Sequence, residues 1–138
     1  MSRDLIDILD TYDTIVFDFG GVLHDSPLNH IKKEERTKVI QELKDLETLL
    51  SILSYDHPLV ILSNSPKQRI EKILEKAEIK RYFKKIYGGT PLQSKVNRLN
   101  KIKKEFGNII LLDDNLRNVK EAHDAGIPAM QIFYEDLV

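Results

Sequence analysis

No cysteine occurs anywhere in the chain. That excludes a disulfide framework, a zinc–thiolate site and a cysteine nucleophile. Neither sign of charge dominates: 21 Lys and Arg stand against 22 Asp and Glu, for a net charge of −1. This balance gives no electrostatic case for nucleic acid or an anionic membrane as the main partner. No apolar run approaches the roughly 20 residues that span a bilayer. The first residues, "MSRDLIDILDTYD", carry acids throughout and lack the apolar centre of a signal peptide. Glycine and proline are sparse, at 6 and 5 residues, and no linker, internal repeat or low-complexity tract breaks the chain. The expectation is a soluble cytoplasmic protein whose 138 residues form one domain over 1–138.

What the chain does have is short apolar runs alternating with helical patterns. "TIVFDFG" places Ile15, Val16 and Phe17 before Asp18; "PLVILSNS" places Leu59 to Leu62 before Ser63; "NIILLDD" places Ile109 to Leu112 before Asp113. Continuous runs of about four apolar residues, without strict alternation, suit strands buried on both faces of a parallel sheet. "KKIYGG" is a weaker run, and "PAMQIFY" reads as a last strand. Leu43, Leu46, Leu49, Leu50 and Leu53 predict an amphipathic helix over 37–54. "SPKQRIEKILEKAEI" predicts another, with Ser65 as N-cap and Pro66 at the first helical position. Val96, Leu99, Ile102 and Phe106 predict a helix ending at Gly107, and Val119, Ala122 and Ala125 one ending at Gly126. The stretch 24–37 is the least regular. The alternation predicts an α/β fold, a parallel sheet with helices on both faces.

Each strong strand ends on a polar residue: Asp18, Ser63, and Asp113 with Asp114. In an open parallel sheet the ligand crevice lies outside the carboxyl ends of the strands. Three strands therefore deliver polar groups to one place. Asp18 is followed two residues later by Gly20 and then by Gly21, which permit an unusual backbone path beside that crevice.

"FDFGGVL", "VILSNS", a downstream lysine and "LLDDNLRNVKEAHDAGI", in this order and spacing, resemble the four motifs of the haloacid dehalogenase (HAD) superfamily, mostly phosphohydrolases with a Rossmann-like core. The resemblance covers roughly residues 12–134. It implies a three-layer α/β/α sandwich. It implies that Asp18 is a nucleophile that attacks phosphorus and forms an aspartyl-phosphate, which water then cleaves. It implies Mg²⁺ held by Asp18, the backbone carbonyl of Gly20 and Asp114, with Asp113 beside them and Asn118 behind. Hard oxygen ligands near a phosphate suit that ion. Ser63, with the N–H of Asn64, would bind the phosphoryl group. Lys95 would offset the charge on Asp18 and the phosphoryl oxygens. Asn115 or Asp114 is also placed to cap the helix that follows.

The sequence departs from the family at position 20, where most HAD phosphatases carry a second Asp as general acid and base. Gly20 can do neither, and losing such a group costs roughly 10²–10⁴-fold. His24 and Asp25 are the candidates to replace it, although an ordinary loop histidine is the favoured reading of His24. Esters with a good leaving group would suffer least. The spacings from Asp18 to Ser63 and from Ser63 to Lys95 leave no room for a cap domain, so the site is expected to be open to a phosphorylated small molecule or macromolecule, or closed by a second copy in a homo-oligomer. The main alternative is a catalytically impaired HAD-like domain that binds phosphate ligands or proteins. A receiver-like phosphoacceptor domain is disfavoured, because its acid pair would follow the first strand.

Overall fold

The computed structural model describes residues 1–25, 33–89 and 95–138; half of the irregular stretch 24–37 and the segment leading into Lys95 lie outside them. Five strands form one sheet: β1 (Thr14–Phe17), β2 (Leu59–Leu62), β3 (Lys85–Tyr87), β4 (Ile109–Asp113) and β5 (Ala129–Gln131). Their spatial order is β3-β2-β1-β4-β5, and every pairing is parallel. The three strongest apolar runs are thus the three central strands. β1 is at the centre, with Phe17 opposite Ile61 on one side and Leu112 on the other.

The two faces of the sheet bury two separate cores, which explains why the strands lack alternation. Ile15, Phe17, Leu59, Ile61, Ile110 and Leu112 point into one core. It is covered by α1 (Arg3–Leu9), α2 (Arg36–Lys44), α3 (Glu47–Asp56), α4 (Lys67–Lys76) and α7 (Tyr134–Leu137). Val16, Val60, Leu62, Ile109 and Leu111 point into the other, covered by α5 (Val96–Phe106) and α6 (Leu116–Asp124). The result is the three-layer α/β/α sandwich. Among the described residues, β1 and β2 are joined by only a short 3₁₀ turn, α2 and α3, with no cap domain between them.

Three local expectations are corrected. The single helix over 37–54 is two helices, α2 and α3, separated at Asp45 and Leu46. There the Leu46 N–H bonds to the Leu43 carbonyl, a tighter i→i−3 closure, before Leu50 N–H returns to the Leu46 carbonyl. Pro66, not Ser65, is the N-cap of α4. Ser65 is committed elsewhere: its N–H donates to Ser63 Oγ and its carbonyl accepts from Gly89 N–H. The final run "PAMQIFY" is strand only as far as Gln131, after which Tyr134–Leu137 turns helical.

Candidate active site

The register brings the strand-end residues together. Phe17 pairs with Leu112, so the next residue of each strand, Asp18 and Asp113, is side by side, and Asp18 N–H still reaches the Leu112 carbonyl at 2.9 Å. Asp114 completes a cluster with them: one carboxylate oxygen of each lies within 4.8 Å of the others. Lys95, at the start of α5, enters this cluster from the side. Its Nζ donates to Asp18 Oδ1 at 2.9 Å, to Asp113 Oδ2 at 2.8 Å and to the Leu62 carbonyl at 3.2 Å. An ammonium has three protons, and all three are used, one toward each of the central strands. Lys95 is 6% exposed and Asp113 fully buried, so neither is a surface charge.

Neighbouring groups fix the acids. Asp113 Oδ1 accepts from Asn115 N–H at 2.9 Å and Oδ2 from Asn118 Nδ2 at 3.2 Å. Asn115 is the N-cap of α6, its side chain accepting from the N–H groups of Arg117 and Asn118. The Asp114 carbonyl accepts from Gln131 Nε2 at 3.1 Å. Gln131 was not singled out from the sequence, although it too closes a strand on this edge. Gly21 decides how closely Asp114 can approach: it has φ +83°, and a Cβ there would sit 2.1 Å from Asp114 Oδ2. The space a side chain would fill holds the Asp114 carboxylate instead.

Ser63 follows β2 directly and is buried, its Oγ accepting from Ser65 N–H at 3.1 Å. Its own hydroxyl proton is thereby left to donate. Asn64 beside it is half-buried, as is Gly20. His24 forms a bridge to Gly20 and packs edge-on against Phe19, with ring centroids 4.7 Å apart. Burial pushes its imidazole down to about 4, against the opposing pull of Asp25. Asp25 is exposed.

Burial holds the Asp18 carboxyl well above its usual range; Lys95 opposes this and the charge of Asp113 adds to it. Burial also raises Asp114, with Asp113 adding to the effect and a hydrogen bond to Asp18 opposing it. Burial works against the charge on Lys95, but Asp18 and Asp113 together hold its pKa above the ordinary lysine value. Three carboxyl groups therefore crowd one ammonium, and burial with mutual repulsion makes their full ionisation costly. The donor set is all hard oxygen, the chemistry of a small divalent cation.

Residues 26–132 match the family described as haloacid dehalogenase-like hydrolase. The chain belongs to this family. The match begins after Asp18, so the first motif rests on position and geometry. A search of curated proteins finds no match. Solved structures of HAD-like proteins share the fold. A haloacid dehalogenase-like family hydrolase from Streptococcus pneumoniae has a TM-score of 0.60 at 17% identity, covering 87% of this chain and 84% of that one. A predicted phosphoglycolate phosphatase from Haemophilus somnus has a TM-score of 0.59 at 15% identity, covering 86% and 84%. The 3-deoxy-D-manno-octulosonate 8-phosphate phosphatase of Moraxella catarrhalis, solved with magnesium ion, phosphate ion and KDO, has a TM-score of 0.58 at 15% identity, covering 91% and 71%.

Proposed function

We propose that this HAD-family hydrolase is a Mg²⁺-dependent phosphatase acting on phosphate monoesters through Asp18. The observation that carries the reading is the Asp18 carboxyl group, held by Lys95 inside a cluster of three acids. Asp18, Asp114 and the carbonyl of Gly20 would hold Mg²⁺, with Asp113 close by. Bound there, the ion masks negative charge on the phosphoryl group.

The chain's own residues divide the remaining work. Asp18 attacks phosphorus, a new P–O bond forms to its carboxylate, and the ester P–O bond breaks with its electron pair going to the leaving oxygen. Water then attacks the aspartyl-phosphate, releasing inorganic phosphate and restoring Asp18. The Ser63 hydroxyl proton and the Asn64 N–H bind phosphoryl oxygens. Lys95 stabilises charge on Asp18 and on the group being transferred. Asn118 keeps Asp113 oriented toward Lys95. No carboxylate at position 20 protonates the leaving group, so esters of acidic alcohols are the better substrates. Hydrolysis of para-nitrophenyl phosphate with Mg²⁺ tests the reading, with Asp18→Asn as the blank. Activity abolished by that substitution is expected, and equal rates in both proteins would refute it.

Gly20 favours a second reading, a catalytically impaired domain that retains phosphate-ligand binding. That reading expects inorganic phosphate to bind in calorimetry while neither protein turns substrate over.

A further inference from the structure

Residues 131–134 bridge the two chain segments that carry the acidic cluster. The Ile132 N–H donates to the Asp113 carbonyl at 3.0 Å, and Gln131 Nε2 donates to the Asp114 carbonyl at 3.1 Å. These two bonds hold the end of β4 and the loop after it. The Tyr134 N–H donates to the Gly21 carbonyl at 2.9 Å. That bond holds the loop after β1, one residue beyond Gly20. The bridging residues are themselves anchored. Gln131 is in register with Asp113 at the end of the β4–β5 pairing. Ile132, Tyr134 and Leu137 are buried in the first core. Tyr134 Oη reaches the Glu42 carbonyl of α2 at 2.8 Å, and the Phe133 N–H donates to Asp136 Oδ2 at 2.8 Å.

Neither secondary structure nor burial demands all of these bonds. The Tyr134 N–H is one of the donors that a helix leaves without an internal partner at its start, and water could serve it. Gln131 is exposed, so its side chain is free of any packing duty. Both donors nevertheless point at carbonyls beside the cluster. Between those carbonyls lies the closest contact of the site, the Asp114 carboxylate in the space where Gly21 lacks a side chain. Both sides of that contact are held from behind by the same four residues. We propose that residues 131–134 are a brace that sets the spacing of the two loops holding Mg²⁺, with Gln131 as a positioning residue for Asp114. This rests on the metal site of the phosphatase reading and adds to it a residue that acts only through another. Without the Gln131 donor the Asp114 peptide gains freedom, and binding of the ion must then order it.

The test is calorimetry with MgCl₂ on the full chain, comparing wild type, Gln131→Met and Tyr134→Phe. Methionine has nearly the length of glutamine and cannot donate. Gln131→Met should weaken Mg²⁺ binding about threefold, the lower range of one net hydrogen bond because this one is exposed. Tyr134→Phe removes a bond of the same segment that goes to α2 and to neither loop. It should lower the melting temperature and leave Mg²⁺ affinity as in wild type. Equal losses of affinity in both variants would make the segment a general structural support and overturn the proposal. Unchanged affinity in Gln131→Met would overturn it as well. Hydrogen exchange reads the brace with no substitution at all. Coupling is reciprocal, so an ion that the brace favours must in turn favour the brace. Mg²⁺ should slow exchange of the Ile132 and Tyr134 amides and leave those of β3, on the opposite edge of the sheet, unchanged. Equal slowing at both edges, or none at 132 and 134, would overturn the proposal. A wild type that binds no Mg²⁺ in calorimetry would refute the metal reading itself, and the brace with it.

Discussion

Gly21→Ala is the sharpest perturbation the site offers, because it adds one methyl group at a position where the structure has already placed another residue's carboxylate. Two costs follow. The backbone at φ +83° is unfavourable for any residue with a Cβ, by roughly 1–2 kcal/mol. The new Cβ would also lie 2.1 Å from Asp114 Oδ2 and 2.5 Å from Asp114 Cγ, well inside contact distance. The glycine has little freedom to yield, since its carbonyl accepts from Tyr134 N–H at 2.9 Å. Asp114 must therefore rotate out of the cluster. The expected loss of stability is about 2 kcal/mol, or a fall in Tm of roughly 5–10 °C for a chain of this size. Mg²⁺ affinity should fall in Gly21→Ala and in Asp114→Ala alike, although Asp114 is still present in the first. Thermal denaturation and Mg²⁺ calorimetry on wild type, Gly21→Ala and Asp114→Ala check both points. A Gly21→Ala protein that keeps its Tm and its Mg²⁺ affinity would refute the close packing of Gly21 against Asp114.

Two further outcomes are expected. With Gly20 unable to activate water, the aspartyl-phosphate should form faster than it breaks down, giving a pre-steady-state burst of para-nitrophenol followed by slow turnover. Gly20→Asp should raise the steady-state rate, by less than the roughly 10²–10⁴-fold of an evolved acid–base group, and absence of both burst and gain would count against the assigned role of position 20. Tyr134 donates its hydroxyl to the Glu42 carbonyl at 2.8 Å, and burial pushes its phenol up to about 12. The unfolded phenol releases its proton near 10, so this contribution is complete below pH 10 and disappears as pH rises toward 12. Tyr134→Phe should lower stability by about 1 kcal/mol at neutral pH and flatten the decline between pH 10 and 12 in urea melts. A decline as steep as wild type would contradict it.

The sheet was legible because burial on two faces leaves an unmistakable trace: Ile15 to Phe17, Leu59 to Leu62 and Ile109 to Leu112 are apolar without interruption. The ends of those runs disclosed Asp18, Ser63, Asp113 and Asp114 for the same reason, since a polar residue after a buried strand is conspicuous. Lys95 was harder to single out in a lysine-rich chain. Its three hydrogen bonds are long-range, to residues 18, 33 and 77 positions away, and no local pattern records such contacts. The division of α2 from α3 carries no glycine or proline at Asp45 and Leu46, so nothing punctuates it. α1 escaped notice because its 7 residues bury only Leu5 and Leu9, too short a stripe to stand out among acids.

The central place of β1 bears on how the molecule moves. Its backbone is bonded on both edges and its side chains are packed on both faces. Such a strand has no cheap local opening, so its amides exchange with solvent mainly through global unfolding. The Asp18 N–H, bonded to the Leu112 carbonyl at 2.9 Å, is the last rung of that ladder. In a hydrogen-exchange experiment the amides of 15–18 should be among the slowest in the chain. The Asp18 carboxylate is then mounted on the stiffest part of the molecule and keeps its aim without any closing motion. The free energy of ordering it is supplied once, during folding.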